Sequence, residues 1–106
     1  MIQEPNLNYI NELAGDDAEF KQKFIAVLKE EIPIEKQEYL NFIENNSFKD
    51  SAECVHKLKH KLNILGLTND YKFAVIYEEE LKKHNSSKKD EFLITLEKIE
   101  SFIKNI

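Results

Sequence analysis

His56 stands in the run Val55-His56-Lys57-Leu58-Lys59-His60-Lys61-Leu62-Asn63-Ile64-Leu65-Gly66, where an apolar helical stripe, a row of lysines and a closing glycine coincide. An imidazole has an unperturbed pKa near ~6.5, so at neutral pH one ring nitrogen keeps a free lone pair and can attack a phosphoryl group without a separate base. At about 100° per residue, Ala52, Val55, Leu58, Leu62 and Leu65 gather on one helical face, and His56 lies roughly 100° round from Val55, toward solvent. The ring is held by the helix yet reachable. Lys59 at i+3 and His60 at i+4 rise beside it, because those spacings make neighbours on a helix surface. Phosphoryl transfer depends on positioning and charge stabilisation, so an ammonium one turn from the nucleophile is the group to expect. Lys59, taken as an exposed lysine, fits that place. Lys57 and Lys61 read as a solvated face.

The elements that must position these residues are helices. Two glycines and two prolines are sparse punctuation for 106 residues, and no strand-like alternation occurs. A short first helix is expected over about Leu7 to Leu13, ended by Gly15, and the next starts near Asp16 and turns Phe20, Phe24, Val27 and Leu28 inward. Pro33 leaves two readings of Ile34 to about Asn45, a new helix or a bent continuation, with Tyr39, Leu40 and Ile43 facing the core. Ser47 with Asp50 can cap the helix that carries His56, which runs to about Leu65, and Gly66 fits the left-handed position that ends it. Thr68 can cap the return helix, which turns Phe73, Ile76, Tyr77 and Leu81 inward before Asn85-Ser86-Ser87 breaks it. A last helix from about Lys88 presents Phe92, Leu93, Leu96, Ile99, Phe102 and Ile103 to the core. Short turns between long amphipathic helices favour antiparallel neighbours. The expected fold is therefore all-α, an antiparallel up-down four-helix bundle with the short first helix as a cap, one domain over residues 1–106.

The run around His56 resembles the histidine-containing phosphotransfer (HPt) domain of multistep phosphorelays, whose signature reads roughly His-x-Leu-Lys-Gly followed by small residues and a Leu-Gly close. Here the matching residues are His56, Leu58, Lys59 and Leu65-Gly66. The likeness extends across nearly the whole chain, through Leu7-Asn8-Tyr9-Ile10-Asn11-Glu12-Leu13, the Gly15-Asp16 turn and Glu31-Ile32-Pro33. It departs at His60, where the family usually has glycine, and at Asn63, where a small residue is usual. Small residues there let a receiver domain approach the histidine, so this chain must offer a differently shaped docking surface, with His60 and Asn63 as partner-binding residues.

The resemblance implies a carrier in two-component signalling, a phosphoprotein without kinase activity of its own. Nε2 of His56 would take phosphate from a receiver aspartate and later give it to another. The partners implied are receiver domains of a hybrid histidine kinase and/or a response regulator, which bring both the aspartate and its magnesium, so no cofactor is expected on this chain. Glu78, twenty-two residues after His56, falls where several HPt domains place a Glu or Gln on the next helix. It is expected to accept from Nδ1 and so fix the tautomer. Lys82, four residues further on, can add positive charge at the rim where a partner docks.

Two other functions compete. A helical module with the same bundle could dock a receiver or another signalling protein without transferring phosphate, and His60 beside the acceptor keeps that reading open. His56 and His60, at i and i+4, could also share a metal, but a stable site wants a third ligand and the remaining candidates are Cys54 on another face and the distant His84. No metal site is expected. Small-molecule turnover finds no Gly-rich phosphate loop, convergent carboxylate pair or nucleophile elbow.

Composition sets outer bounds. At 42% hydrophobic and 33% charged, the chain has the balance of a soluble globular protein. Fifteen basic residues against twenty acidic ones leave a formal charge of −5, with no basic arm, so nucleic-acid binding is not expected. Every basic residue is lysine, so phosphate contacts must be point charges without the planar fork of arginine. One cysteine precludes an internal disulfide, and Cys54 reads as a small apolar residue at the helix flank. No apolar run approaches the ~20 residues that span a bilayer, and no signal-peptide stretch opens the chain, so a cytoplasmic location away from the membrane is expected.

Overall fold

A computed structural model describes residues 3–106; Met1 and Ile2, counted within the expected domain, lie outside the described residues. Its regular structure is five helices: α1 (Asn8–Ala14), α2 (Ala18–Glu44), α3 (Phe48–Ile64), α4 (Thr68–Lys82) and α5 (Lys89–Lys104). Tight turns make successive long helices antiparallel. α3 packs on α2 and α4, α5 packs on α2, and α1 closes against α2. The expected all-α bundle with a short N-terminal helix is the observed architecture. Among the described residues, no helix is long and apolar enough to cross a membrane.

Pro33 neither breaks nor restarts α2, which runs unbroken for 27 residues. Leu28, Ile32, Tyr39 and Ile43 keep one stripe in phase on both sides of the proline, and all four are buried. Burying that stripe outweighs the one backbone hydrogen bond that proline forfeits. The N-terminal turns of α2 are less covered than expected: Phe20 is 40% and Val27 50% exposed, and Phe24 is half-buried, leaving Leu28 as the first fully inward position. α2 starts from Asp17, whose carboxylate accepts the Phe20 N–H at 2.9 Å. The expected caps at Ser47 and Thr68 are not used in that way. Ser47 Oγ donates to Asp50 Oδ2 at 2.7 Å, and the Thr68 hydroxyl instead accepts from Gln3 Nε2 at 3.2 Å.

Residues of positive φ follow four of the helices: Gly15 (φ 57°), Asn46 (φ 55°), Gly66 (φ 80°) and His84 (φ 63°). At Gly66, the Gly66 N–H donates to Asn63 O at 3.1 Å and the Leu67 N–H to Leu62 O at 2.9 Å, the double closure of a Schellman turn. A Cβ here would strike the Asn6 side chain. Asn6 is itself engaged, with its N–H donating to Leu65 O at 2.8 Å and its Oδ1 accepting the Asn8 N–H at 3.0 Å. Gly66→Ala should therefore cost about 2–3 kcal/mol, from left-handed strain plus the lost Asn6 anchor. Urea unfolding of Gly66→Ala in the wild-type and Asn6→Ala backgrounds checks this, and equal losses in the two would remove the Asn6 contact from the account. Gly15 has open space around it, and its φ 57° and ψ −124° lie where glycine alone sits readily.

Ala52, Val55, Leu58, Leu62 and Leu65 are all buried, as the stripe on α3 requires, and Cys54 is buried beside them. Tyr39, Tyr77 and Phe92 tie α2, α4 and α5 together, with ring centroids 5.2–6.3 Å apart. The two phenol oxygens lie 2.5 Å apart in a buried hydrogen bond. Burial and this bond push the Tyr39 phenol far above its usual range, and burial raises Tyr77 as well, so both stay neutral. Changing either one to Phe strands the other hydroxyl and should cost roughly 1–3 kcal/mol, whereas the double change should cost less than the sum of the singles. A double-mutant cycle by chemical denaturation measures that coupling, and additivity would mean that the bond contributes nothing.

On α4 the inward residues are Ala74, Tyr77, Glu78 and Leu81. Ile76, expected inside, is 53% exposed, and Phe73 is half-buried. On α5, Phe92, Leu96, Ile99 and Ile103 are buried as expected, while Leu93 and Phe102 sit at the boundary.

Candidate functional site

α3 and α4 form a hairpin about Gly66. His56 lies ten residues before that turn and Glu78 twelve after it, so the antiparallel pairing brings them level. His56 Nδ1 is 3.1 Å from Glu78 Oε2 and 3.4 Å from Oε1. The Glu78 carboxylate is 7% exposed while the His56 side chain is 56% exposed, so the anchor is buried and the ring stands in the open.

Glu78 gathers three cationic or donor groups. Besides His56, Lys59 Nζ donates to its Oε1 at 2.8 Å, and Lys82 Nζ lies 3.5 Å from its Oε2. Burial by itself pushes the Glu78 carboxyl up, but the hydrogen bond and charge of Lys59, joined by those of His56, more than offset this and hold it below the usual carboxylate range. An ionised carboxylate has no proton to give. A neutral His56 must then donate from Nδ1 and carry its lone pair on Nε2.

The site residues read from the sequence are brought together, with different duties for some. Lys59 is 13% exposed and committed to Glu78, not an exposed lysine beside the acceptor. Its aliphatic stem is buried and its ammonium holds the carboxylate that holds His56. Lys82, 54% exposed and shared between Glu78 and Glu79 at 3.2 Å, is the ammonium at the open rim. His60 and Asn63 follow His56 at i+4 and i+7 along the exposed stripe of α3. The His60 ring stands edge-to-face on the His56 ring, with centroids 5.2 Å apart at 87°. Lys61 is not part of a solvated face: it is 13% exposed and bonded to Glu35 of α2 at 2.9 Å, with Glu31 at 3.4 Å.

A cleft of about 770 Å³ opens beside His56 between the N-terminal half of α3 and the C-terminal half of α4. Ala52 and Leu81 lie in its wall, with Lys49, Lys57, Lys82 and His84 also lining it. The His84 ring stacks on Phe48 at 5.0 Å and 12°, joining the end of α4 to the start of α3. The sequence reading left Lys49 and Phe48 without a role and treated His84 as remote. Its separation from His56 along the chain hid the fact that the hairpin folds it back. Among the described residues, no group of three or more His, Cys, Asp or Glu side chains is placed to hold a metal ion.

Comparisons with protein-family models, with curated proteins and with solved structures find no match.

Proposed function

We propose that this chain is a phosphorelay carrier of the histidine-containing phosphotransfer kind, accepting a phosphoryl group on His56 from a receiver-domain aspartate and passing it to another. The observation that carries the reading is the half-exposed imidazole whose Nδ1 is fixed by a buried, cation-held carboxylate. That arrangement presents Nε2 as a nucleophile without a separate base.

In the forward step, the Nε2 lone pair attacks phosphorus of the aspartyl phosphate. The Nε2–P bond forms, the P–O bond to the carbonyl breaks, and its electrons leave on the receiver's carboxylate. The ring gains positive charge as this happens. Its Nδ1–H points at the anionic Glu78, so the hydrogen bond strengthens as the charge develops, and no proton need leave. The reverse step returns the phosphoryl group to a second aspartate by the same path. Lys59 keeps Glu78 ionised and in place, and Lys82 at the rim offers charge to the phosphoryl oxygens. The receiver supplies its own aspartate and metal, and this chain contributes no kinase activity.

The crowding of His56 by the His60 ring favours a second reading, a bundle that docks a receiver without transfer. Incubation with phosphorylated receiver domains from the same genome separates the two. An acid-labile, alkali-stable label on this protein is expected. Binding without label, for every receiver that binds, would leave the docking module as the function.

A further inference from the structure

Two imidazoles, not one, stand at the acceptor position. The His60 side chain springs from one turn beyond His56 and leans back toward it, since side chains on a helix tilt toward its N-terminus. Its ring meets the His56 ring edge-to-face at 5.2 Å, and both residues are exposed. We propose that His60 contacts the phosphoryl group carried on His56, as the titratable counter-charge that sets how strongly this chain holds its phosphate. This rests on the carrier reading above.

Three of the lysines near the acceptor are already engaged by carboxylates. From α3, Lys59 is bound to Glu78 and Lys61 turns away onto Glu31 and Glu35 of α2. From α4, Lys82 is shared between Glu78 and Glu79, and the Glu78 charge is itself met by Lys59 and His56. Lys49, Glu53 and Lys57 line the neighbouring cleft, and these two lysines make no ion pair among the described residues. Among the groups around the pair, the His60 ring is the one in contact with the acceptor ring and without an ion-pair partner among the described residues.

A phosphoryl group near neutral pH carries about −1.5 to −2 charge. Against one positive charge at about 6 Å in water-like surroundings, this amounts to roughly five- to tenfold in an equilibrium constant at low salt. Protonated His60 would supply that factor and neutral His60 would not. An imidazole is the side chain whose charge ordinarily changes between about pH 5 and pH 8, so measurements on either side of that range separate the two cases.

The experiment is the equilibrium of phosphoryl exchange with one phosphorylated receiver at low salt, at pH 6 and pH 8.5, for wild type, His60→Gln and His60→Lys. Dividing each variant by wild type at the same pH cancels the receiver's own titration. The expected result is that His60→Gln falls roughly five- to tenfold below wild type at pH 6 and matches it at pH 8.5. His60→Lys should match wild type at pH 6 and exceed it at pH 8.5. Identical constants for all three proteins at both pH values would overturn the inference while leaving the carrier reading standing. So would a deficit shared by both variants and independent of pH, which marks a role of shape. Wild type that takes no label from any bound receiver would end the carrier reading, and the role of His60 with it.

Discussion

His56→Gln is expected to reduce phosphoryl labelling to background while leaving the bundle intact. Glutamine has similar reach, but its amide nitrogen has no free lone pair, so the nucleophile is gone. The structural loss is small because the His56 side chain is 56% exposed and Glu78 retains Lys59 and Lys82 as partners. A stability change below about 1 kcal/mol is expected, as for other exposed positions. Labelling and urea unfolding on the same preparation check both halves. Residual label at wild-type level would move the acceptor to another residue, and His60 would be the first to test. His60→Gln, by contrast, should retain label.

The second large effect falls on Glu78, where one substitution should disturb both chemistry and stability. Glu78→Ala leaves the Lys59 ammonium, 13% exposed, without its carboxylate, and frees His56 Nδ1. The stability loss should be about 2–3 kcal/mol, below that of a fully buried broken pair because Lys59 keeps some contact with water. Transfer should slow roughly tenfold to a hundredfold, the scale for removing a group that orients a reacting histidine. Nitrogen NMR of the ring should show Nε2-protonated tautomer that wild type lacks. An unchanged tautomer ratio would remove Glu78 from the site.

The same carboxylate makes stability fall with acid. Its folded-state pKa is held below the ordinary value near ~4.3, so its contribution is fully present above that value and is lost as pH falls through the folded one. Between about pH 5 and pH 3, wild type should therefore lose more stability than Glu78→Gln, whose amide does not titrate. Parallel urea titrations across that window test it, and equal slopes would assign the acid sensitivity to other carboxylates.

The legible parts of the fold were those where apolar spacing and backbone demand agree. The stripe on α3 and the left-handed end at Gly66 are both of this kind. α4 was misread by one position because its inward face is not wholly apolar. Glu78 occupies a buried place beside Tyr77, and Ile76, which apolar spacing alone predicts inside, is exposed in its stead. The long α2 misled in another way. At 27 residues, about 40 Å of helix, it outreaches α3 and α4, so Phe20 and Val27 follow an inward pattern with little chain to cover them. The grouping of His56 with Lys59 and His60 could be read from spacing along α3. The burial of Lys59 could not, because it depends on a carboxylate nineteen residues away.

Tyr77 and Glu78 are consecutive, and they point to opposite duties. The Tyr77 hydroxyl reaches across the core to α2, while the Glu78 carboxylate reaches out to His56 on α3. A slide of α4 by one residue, about 1.5 Å, or a turn about its axis, would displace the phenol and the carboxylate together. The Tyr39–Tyr77 bond thus works as an indexing pin. It sets the register of α4 from the interior, so the aim of the group that holds His56 is decided on a different face of the helix.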